Sequence, residues 1–271
     1  MIENKVVLIT GVSSGIGRAT AQLLAERGAR VFGTVRDLDR ADPIGNVELV
    51  RIDVTDDSSV KDGVESILGK AGRIEILINN AGYSIAGGLE ETSIEEARQL
   101  FETNFFGALR VTQAVLPSMR RNGYGRIVNI SSMAGVVPLP YRGVYAASKH
   151  ALEGYTEMLD HEVRQFGIRA VLIEPMFTKT NLVANEKNSQ TEIPAYAEQK
   201  RRAGITIQRE NAAGDEPRVV AEVIYHALIA EPPRLRYPVG NGATLSLLRR
   251  FVPSRMFDKQ FRKRFQLDET A

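Results

Sequence analysis

Hydrophobic positions along the first two-thirds of the chain follow two alternating rhythms. Val6–Ile9, Val31–Val35, Val47–Ile52, Ile74–Ile78, Arg126–Ile130 and Ile168–Ile173 are short, β-branched and mostly apolar, as expected of strands covered on both faces. Between them, Gly15–Arg27, Ser58–Lys70, Ile94–Arg120 and Val144–Phe166 carry apolar residues three and four apart, the spacing of a helix with one dry face. Strand and helix in alternation predict βαβ units feeding a parallel sheet. Right-handed crossovers then give a three-layer αβα sandwich, and we expect one doubly wound domain over residues 1–271.

After Pro175 the rhythm weakens. Thr180–Asp215 is polar with few strand signals, so residues 181–215 are expected to form a mobile segment or helical lid facing the substrate. Pro217–Ala230 reads as a further helix and Leu235–Val239 as a last strand. The extension 243–271 is basic and amphipathic: Leu245, Leu247, Leu248, Phe251, Val252, Met256, Phe257, Phe261 and Phe265 alternate with Arg249, Arg250, Arg255, Lys259, Arg262, Lys263 and Arg264. Three uses fit that pattern: peripheral contact with an anionic membrane, closure over an active site, or packing on its own domain or a sister subunit.

Composition narrows the function classes. With 35 basic and 33 acidic residues, net +2, the chain lacks the broad positive field of a nucleic-acid binder. It has no cysteine, which excludes disulfides and thiolate metal sites. His150, His161 and His226 lack ligand spacing, so no metal is expected. The start of the chain carries Glu3 and Lys5 and no long apolar run, and a cytoplasmic location is the expectation.

Candidate chemistry lies at two places. Thr10-Gly11-Val12-Ser13-Ser14-Gly15-Ile16-Gly17 follows the first strand and opens the first helix, where free backbone N–H groups and the helix dipole favour a pyrophosphate. The plain alternative is a tight turn between core elements. Tyr145 and Lys149 stand four apart and project from one helix face, although such a pair in isolation is more often an ordinary surface pair. A free tyrosine titrates near pH 10. An ammonium about 4 Å away would attract its phenolate by about 4 kcal/mol at an effective dielectric of about 20, lowering the pKa by at most about 3. Ser131-Ser132 ends the fifth predicted strand, at the sheet edge where doubly wound folds bind ligands.

Thr-Gly-x-x-x-Gly-x-Gly together with Tyr-x-x-x-Lys resembles the short-chain dehydrogenase/reductase family, and the likeness extends over residues 1 to about 240. The resemblance implies a Rossmann-type fold and an oxidoreductase that passes a hydride between a nicotinamide dinucleotide and a small-molecule carbonyl/alcohol pair. It makes Gly11, Ser13, Ser14, Gly15, Ile16 and Gly17 the phosphate turn, and Asp53 and Val54 the adenine contacts. Asn80, Ala81 and Gly82 would line the cofactor cleft, with Pro175, Thr178 and Thr180 at its nicotinamide end. In the implied mechanism Ser132, favoured over Ser131 by its spacing to the tyrosine, orients the carbonyl while Tyr145 donates the proton. Lys149 binds the ribose and holds down the tyrosine pKa, and Asn104 positions a relaying water. Arg36, ending the second strand, would pair with a 2′-phosphate and select NADP(H) over NAD(H); alternatively Arg36 is a solvated charge and Asp37 takes the ribose.

Met176 departs from the family's usual Pro-Gly and puts the local loop path in question. Length and tail resemble the branch acting on steroids, retinoids and other lipophilic alcohols or ketones, and relatives pair as homodimers or homotetramers. An NADP(H)-sensing binding protein without turnover is the alternative from another class.

Overall fold

A computed structural model describes residues 2–184 and 186–268. Its centre is a seven-stranded, wholly parallel sheet built from β1 (Val6–Ile9), β2 (Arg30–Val35), β3 (Glu48–Arg51), β4 (Ile76–Asn79), β6 (Gly125–Ile130), β7 (Ile168–Glu174) and β9 (Arg236–Pro238), in the order β3-β2-β1-β4-β6-β7-β9. Two-residue strands β5 (Ile85–Ala86) and β8 (Lys187–Asn188) form a separate parallel pair.

The helices are α1 (Gly15–Glu26), α2 (Asp57–Ala71), α3 (Ile94–Phe101), α4 (Gly107–Asn122), α5 (Gly143–Val163), α6 (Asn181–Ala184), α7 (Pro194–Ala212), α8 (Pro217–Ile229), α9 (Gly242–Phe251) and α10 (Ser254–Arg264). Residues alternate across β1: Val7 and Ile9 meet Leu24 of α1 and Val220 and Ile224 of α8, while Val6 and Leu8 meet the opposite cluster with Val64, Val111 and Leu159. Both faces of β1 are therefore dry, which is why that strand is apolar throughout.

From β1 the chain steps outward to β2 and β3, then returns to the far side of β1 as β4. Successive crossovers thus leave in opposite directions between β1 and β4 and open a crevice at the carboxyl ends of those strands. Local chemistry fixes the flanking elements. Asp56 caps α2 by accepting the Ser59 N–H at 2.7 Å, and Gly72 ends that helix in the left-handed region. Ser93 and Glu96 form a reciprocal capping box on α3.

One expectation needs correcting and a second is narrowed. The single helix predicted over Ile94–Arg120 is interrupted by a π-helical turn at Glu102–Phe106, the kind of widening that often marks a functional position. Its cause is tertiary: Asn104 accepts the Tyr83 N–H at 3.0 Å and donates to the Tyr83 carbonyl at 2.9 Å, holding the helix to the loop after β4. Of the mobile segment or helical lid expected over 181–215, the structure gives the helical form, with the 19-residue α7, and adds the short strand β8 that the pattern did not signal. Residue 185 of the lid and 269–271 of the extension lie outside the described residues.

Candidate active site

The glycine turn closes because three positions admit no ordinary side chain. Gly11 has φ 70°, and a Cβ there would stand 3.0 Å from Ala81 Cα. A Cβ on Gly17 would collide with the Gly11 carbonyl oxygen and the Asn80 amide, and Gly15, φ 59°, faces the Thr180 side chain. Thr10 accepts the Asn80 and Ala81 N–H groups at 2.9 and 3.0 Å, Thr34 accepts the Gly11 N–H at 3.2 Å, and Asn80 donates to the carbonyls of Thr10 and Gly11 at 2.9 and 2.8 Å. The turn is thus stitched to β2 and β4, and the helix beginning behind Ser14 has no side-chain cap. Its first donors remain open to an anion.

A cleft of about 1320 Å³ runs from this turn to the C-terminal helices, more than the roughly 300–1,000 Å³ usual for a small-molecule site. Its walls include Gly11, Ser13, Ser14, Ile16, Arg36, Asp53, Val54, Asn80, Ala81, Gly82, Ser132, Tyr145, Lys149, Pro175, Thr178 and Thr180, so nearly every sequence-predicted position converges there. Gly15, Gly17 and Asn104 stand behind the wall and shape it. Asn104 is spent on Tyr83 and on Ser148, the latter at 3.2 Å.

At the β2 end the two readings separate. Asp37 is engaged by Arg40 at 3.3 Å and by the Asp39 N–H at 3.0 Å, and does not line the cleft. Arg36 does line it, is exposed, and makes no hydrogen bond or ion pair among the described residues. Asp53 accepts the Thr55 N–H and hydroxyl at 3.0 and 2.8 Å, which fixes its carboxylate at the cleft edge.

Ser132 caps a 3-10 turn by accepting the Ala134 N–H at 3.1 Å, which leaves its own hydrogen to donate. The Tyr145 phenol is hydrogen-bonded to Ser132 and packs among Ile85, Leu100 and Ala134. Lys149 donates to the Ile130 carbonyl at 2.8 Å, with its nitrogen 5.8 Å from the centre of the Tyr145 ring. Burial pushes the phenol up to about 12, against the Ser132 hydrogen bond and with help from the Glu186 charge. It pushes the Lys149 ammonium down to about 8.

The expectation that the ammonium lowers the tyrosine pKa is therefore not met in the protein alone. Desolvation of the buried phenol is the largest influence on its pKa and outweighs attraction to the ammonium. Met176 resolves more simply. Among the described residues the non-glycine positions with positive φ are Asn4, Tyr141 and Gln266, so Met176 is unstrained, and its side chain joins the cleft wall.

One feature escaped sequence reasoning and a second was left open by it. Arg142, just before α5, holds Glu186 through two hydrogen bonds of 3.0 and 2.6 Å, and Ser84 donates to the same carboxylate at 2.6 Å. This buried pair ties the lid to the mouth of the cleft; the two residues are 44 positions apart, beyond any local pattern. The second is the extension. Of its three uses, closure and self-packing coincide: α10 turns Phe257 and Phe261 into the cleft, Phe265 is buried, and the Gln199 amide donates to the Leu267 carbonyl at 2.6 Å. The side chains of Leu247, Leu248 and Arg250 lie outside the described residues. No helix among the described residues is long and apolar enough to cross a membrane.

Comparison with known proteins gives a consistent result. The sequence profile named short chain dehydrogenase matches residues 5–191. A 3-ketodihydrosphingosine reductase of Bacteroides thetaiotaomicron is 40% identical over 241 residues, covering 88% of this chain and 89% of its own. Among solved structures, a short-chain dehydrogenase from Streptomyces avermitilis superposes with a TM-score of 0.82 at 35% identity, covering 99% of both chains. A short chain dehydrogenase/reductase from Burkholderia phymatum in complex with NAD gives 0.81 at 26%, covering 96% of both.

Proposed function

Because this chain belongs to the short chain dehydrogenase family of oxidoreductases, we propose that it reduces the carbonyl group of a lipophilic substrate with NADP(H) as hydride carrier. The observation that carries the reading is the convergence of Ser132, Tyr145 and Lys149 on one wall of the cleft that begins at the glycine turn. The residues fit a dinucleotide. The turn leaves no room for side chains, the α1 donors are uncapped, and Arg36 offers an unpaired guanidinium where a 2′-phosphate would sit. Bound there, a reduced nicotinamide supplies hydride.

The protein's own groups do the rest. Ser132 donates to the Tyr145 oxygen in the free protein; a substrate carbonyl oxygen placed between them accepts hydrogen bonds from both. As hydride reaches the carbonyl carbon, negative charge grows on that oxygen and the phenol proton moves to it. A phenol near 12 is protonated at neutral pH and is a stronger acid than the alcohol product, so burial suits the reducing direction. The phenolate left behind is stabilised by the Lys149 ammonium. Asn104 acts at a distance by fixing the Tyr83 loop.

Lipophilicity is supported by the apolar end of the cleft and by the Bacteroides relative, a reductase of 3-ketodihydrosphingosine by name. Exposed Phe106, Met158 and Phe166 beside α4 and α5 support self-association into a homodimer or homotetramer. The test is oxidation of NADPH, and separately of NADH, across aliphatic, steroidal and retinoid carbonyls. NADPH-dependent reduction of apolar ketones is expected. Binding of NADPH with no turnover of any carbonyl would overturn the proposal.

A further inference from the structure

Beyond Tyr145 the cleft changes character. The side chains that α10 contributes are Met256, Phe257, Gln260, Phe261 and Arg264, which recur every three to four residues and therefore lie along one helical face. Phe257, Phe261 and the buried Phe265 form a continuous ladder, with ring centres 6.3 and 4.8 Å apart. Opposite them the lid supplies Val183 and Ile207.

The slot is anchored at its far end by Arg264 on Glu210 at 3.0 Å and by Gln199 on Leu267. The ladder runs over the nine residues from Phe257 to Phe265, eight helical rises, so the slot is about 12 Å long. It is continuous with the cavity that holds Tyr145.

We propose that this slot between α7 and α10 is the subsite for an unbranched hydrocarbon chain attached to the reacting carbonyl, with Phe257 and Phe261 setting the chain length accepted. The proposal rests on the carbonyl-reductase reading for the word "reacting", but the slot itself does not depend on turnover. The face is aromatic along most of its length, with Gln260 the polar side chain it contributes before Arg264, which suits methylene groups and disfavours a compact, polar substrate. Phe257 and Phe261 are only half-buried, so altering them should leave folding intact.

The test uses 2-alkanones and the corresponding 2-alkanols of four to fourteen carbons. In wild type, kcat/KM should rise about threefold to fourfold per methylene until the slot is full. In the double variant Phe257→Ala/Phe261→Ala the rise with chain length should flatten. An equal slope in both proteins would overturn the proposal.

A second variant supplies a readout without turnover. The chain contains no tryptophan, so Phe261→Trp places a sole indole in the slot wall. Its emission should shift to the blue on titration with dodecan-2-ol in the absence of dinucleotide, and should not respond to butan-2-ol or to a cyclic alcohol of twelve carbons. A silent indole, or equal responses to linear and cyclic alcohols, would overturn the subsite. A responsive indole in a protein that reduces no ketone would instead refute the reductase reading and leave the slot standing.

Discussion

Replacing Lys149 by methionine should make the protein more stable at neutral pH while destroying its activity. Lys149 is 6% exposed, and burial takes its pKa from 10.5 down to about 8. At 1.36 kcal/mol per pKa unit this difference amounts to about 3 kcal/mol of destabilisation borne by the charged folded form. The sign follows from proton counting. Between pH 8 and 10.5 the unfolded chain keeps a proton that the folded chain has lost, so stability rises with pH across that window, and the full penalty applies below pH 8.

Lys149→Met removes the penalty but leaves the Ile130 carbonyl, now bonded at 2.8 Å, without its donor, a cost of about 1 kcal/mol. The net gain at pH 7 is about 2 kcal/mol, which is about 4–8 °C in Tm for a chain of this size. It should have largely vanished by pH 10. Reversible urea unfolding of both proteins at pH 7 and pH 10, without dinucleotide, measures it. A variant less stable than wild type at pH 7, or a difference that ignores pH, would refute the claim that function keeps a costly charge at this position.

Other perturbations reach the remaining parts of the site. Arg36→Ala should weaken NADPH about ten- to a hundredfold, the worth of a charge-assisted hydrogen-bond pair, and leave NADH nearly untouched; comparing the two dissociation constants by titration decides it. Glu91 anchors the lid by accepting from Gly88, Ile193 and Lys200 at 2.7, 2.9 and 2.8 Å. Burial alone would raise its pKa, but these donors hold it down to about 2. Its contribution is therefore complete above about pH 4.5 and lost as pH falls through 2. Glu91→Gln should cost about 2 kcal/mol at pH 7 and speed limited proteolysis between residues 187 and 200, and the stability difference should shrink in acid.

Those parts of the fold that depend on near neighbours were legible in the sequence. Strands β1, β2, β3, β4, β6 and β7 announced themselves because strands covered on both faces are mostly apolar, and the glycine turn because its spacing is local. Helix periodicity put Tyr145 and Lys149 on one face and the strand edge brought Ser131-Ser132 to the ligand side, while the choice of Ser132 and its grouping with the other two came from the family resemblance. What escaped was set by distant contacts. The π turn at Glu102–Phe106 answers to Tyr83, β8 exists only because β5 pairs with it, and Arg142 finds Glu186 across the cleft mouth. The direction of the Tyr145 shift was misjudged for a related reason. Spacing along a helix gives the distance to Lys149 but says nothing of how completely both groups are removed from water, and here desolvation is the larger effect.

The most direct measurement is a single-turnover reaction of NADPH-loaded wild type and Tyr145→Phe with a long-chain 2-alkanone, paired with titration of NADPH into each protein. In the proposed mechanism the phenol hydroxyl acts on the substrate oxygen and takes no part in holding the phosphate turn. NADPH affinity should therefore be preserved while the rate of hydride transfer falls by about 100-fold to 10,000-fold. A variant that reduces the ketone at the wild-type rate, with its cofactor bound as before, would contradict the assignment of Tyr145 as proton donor.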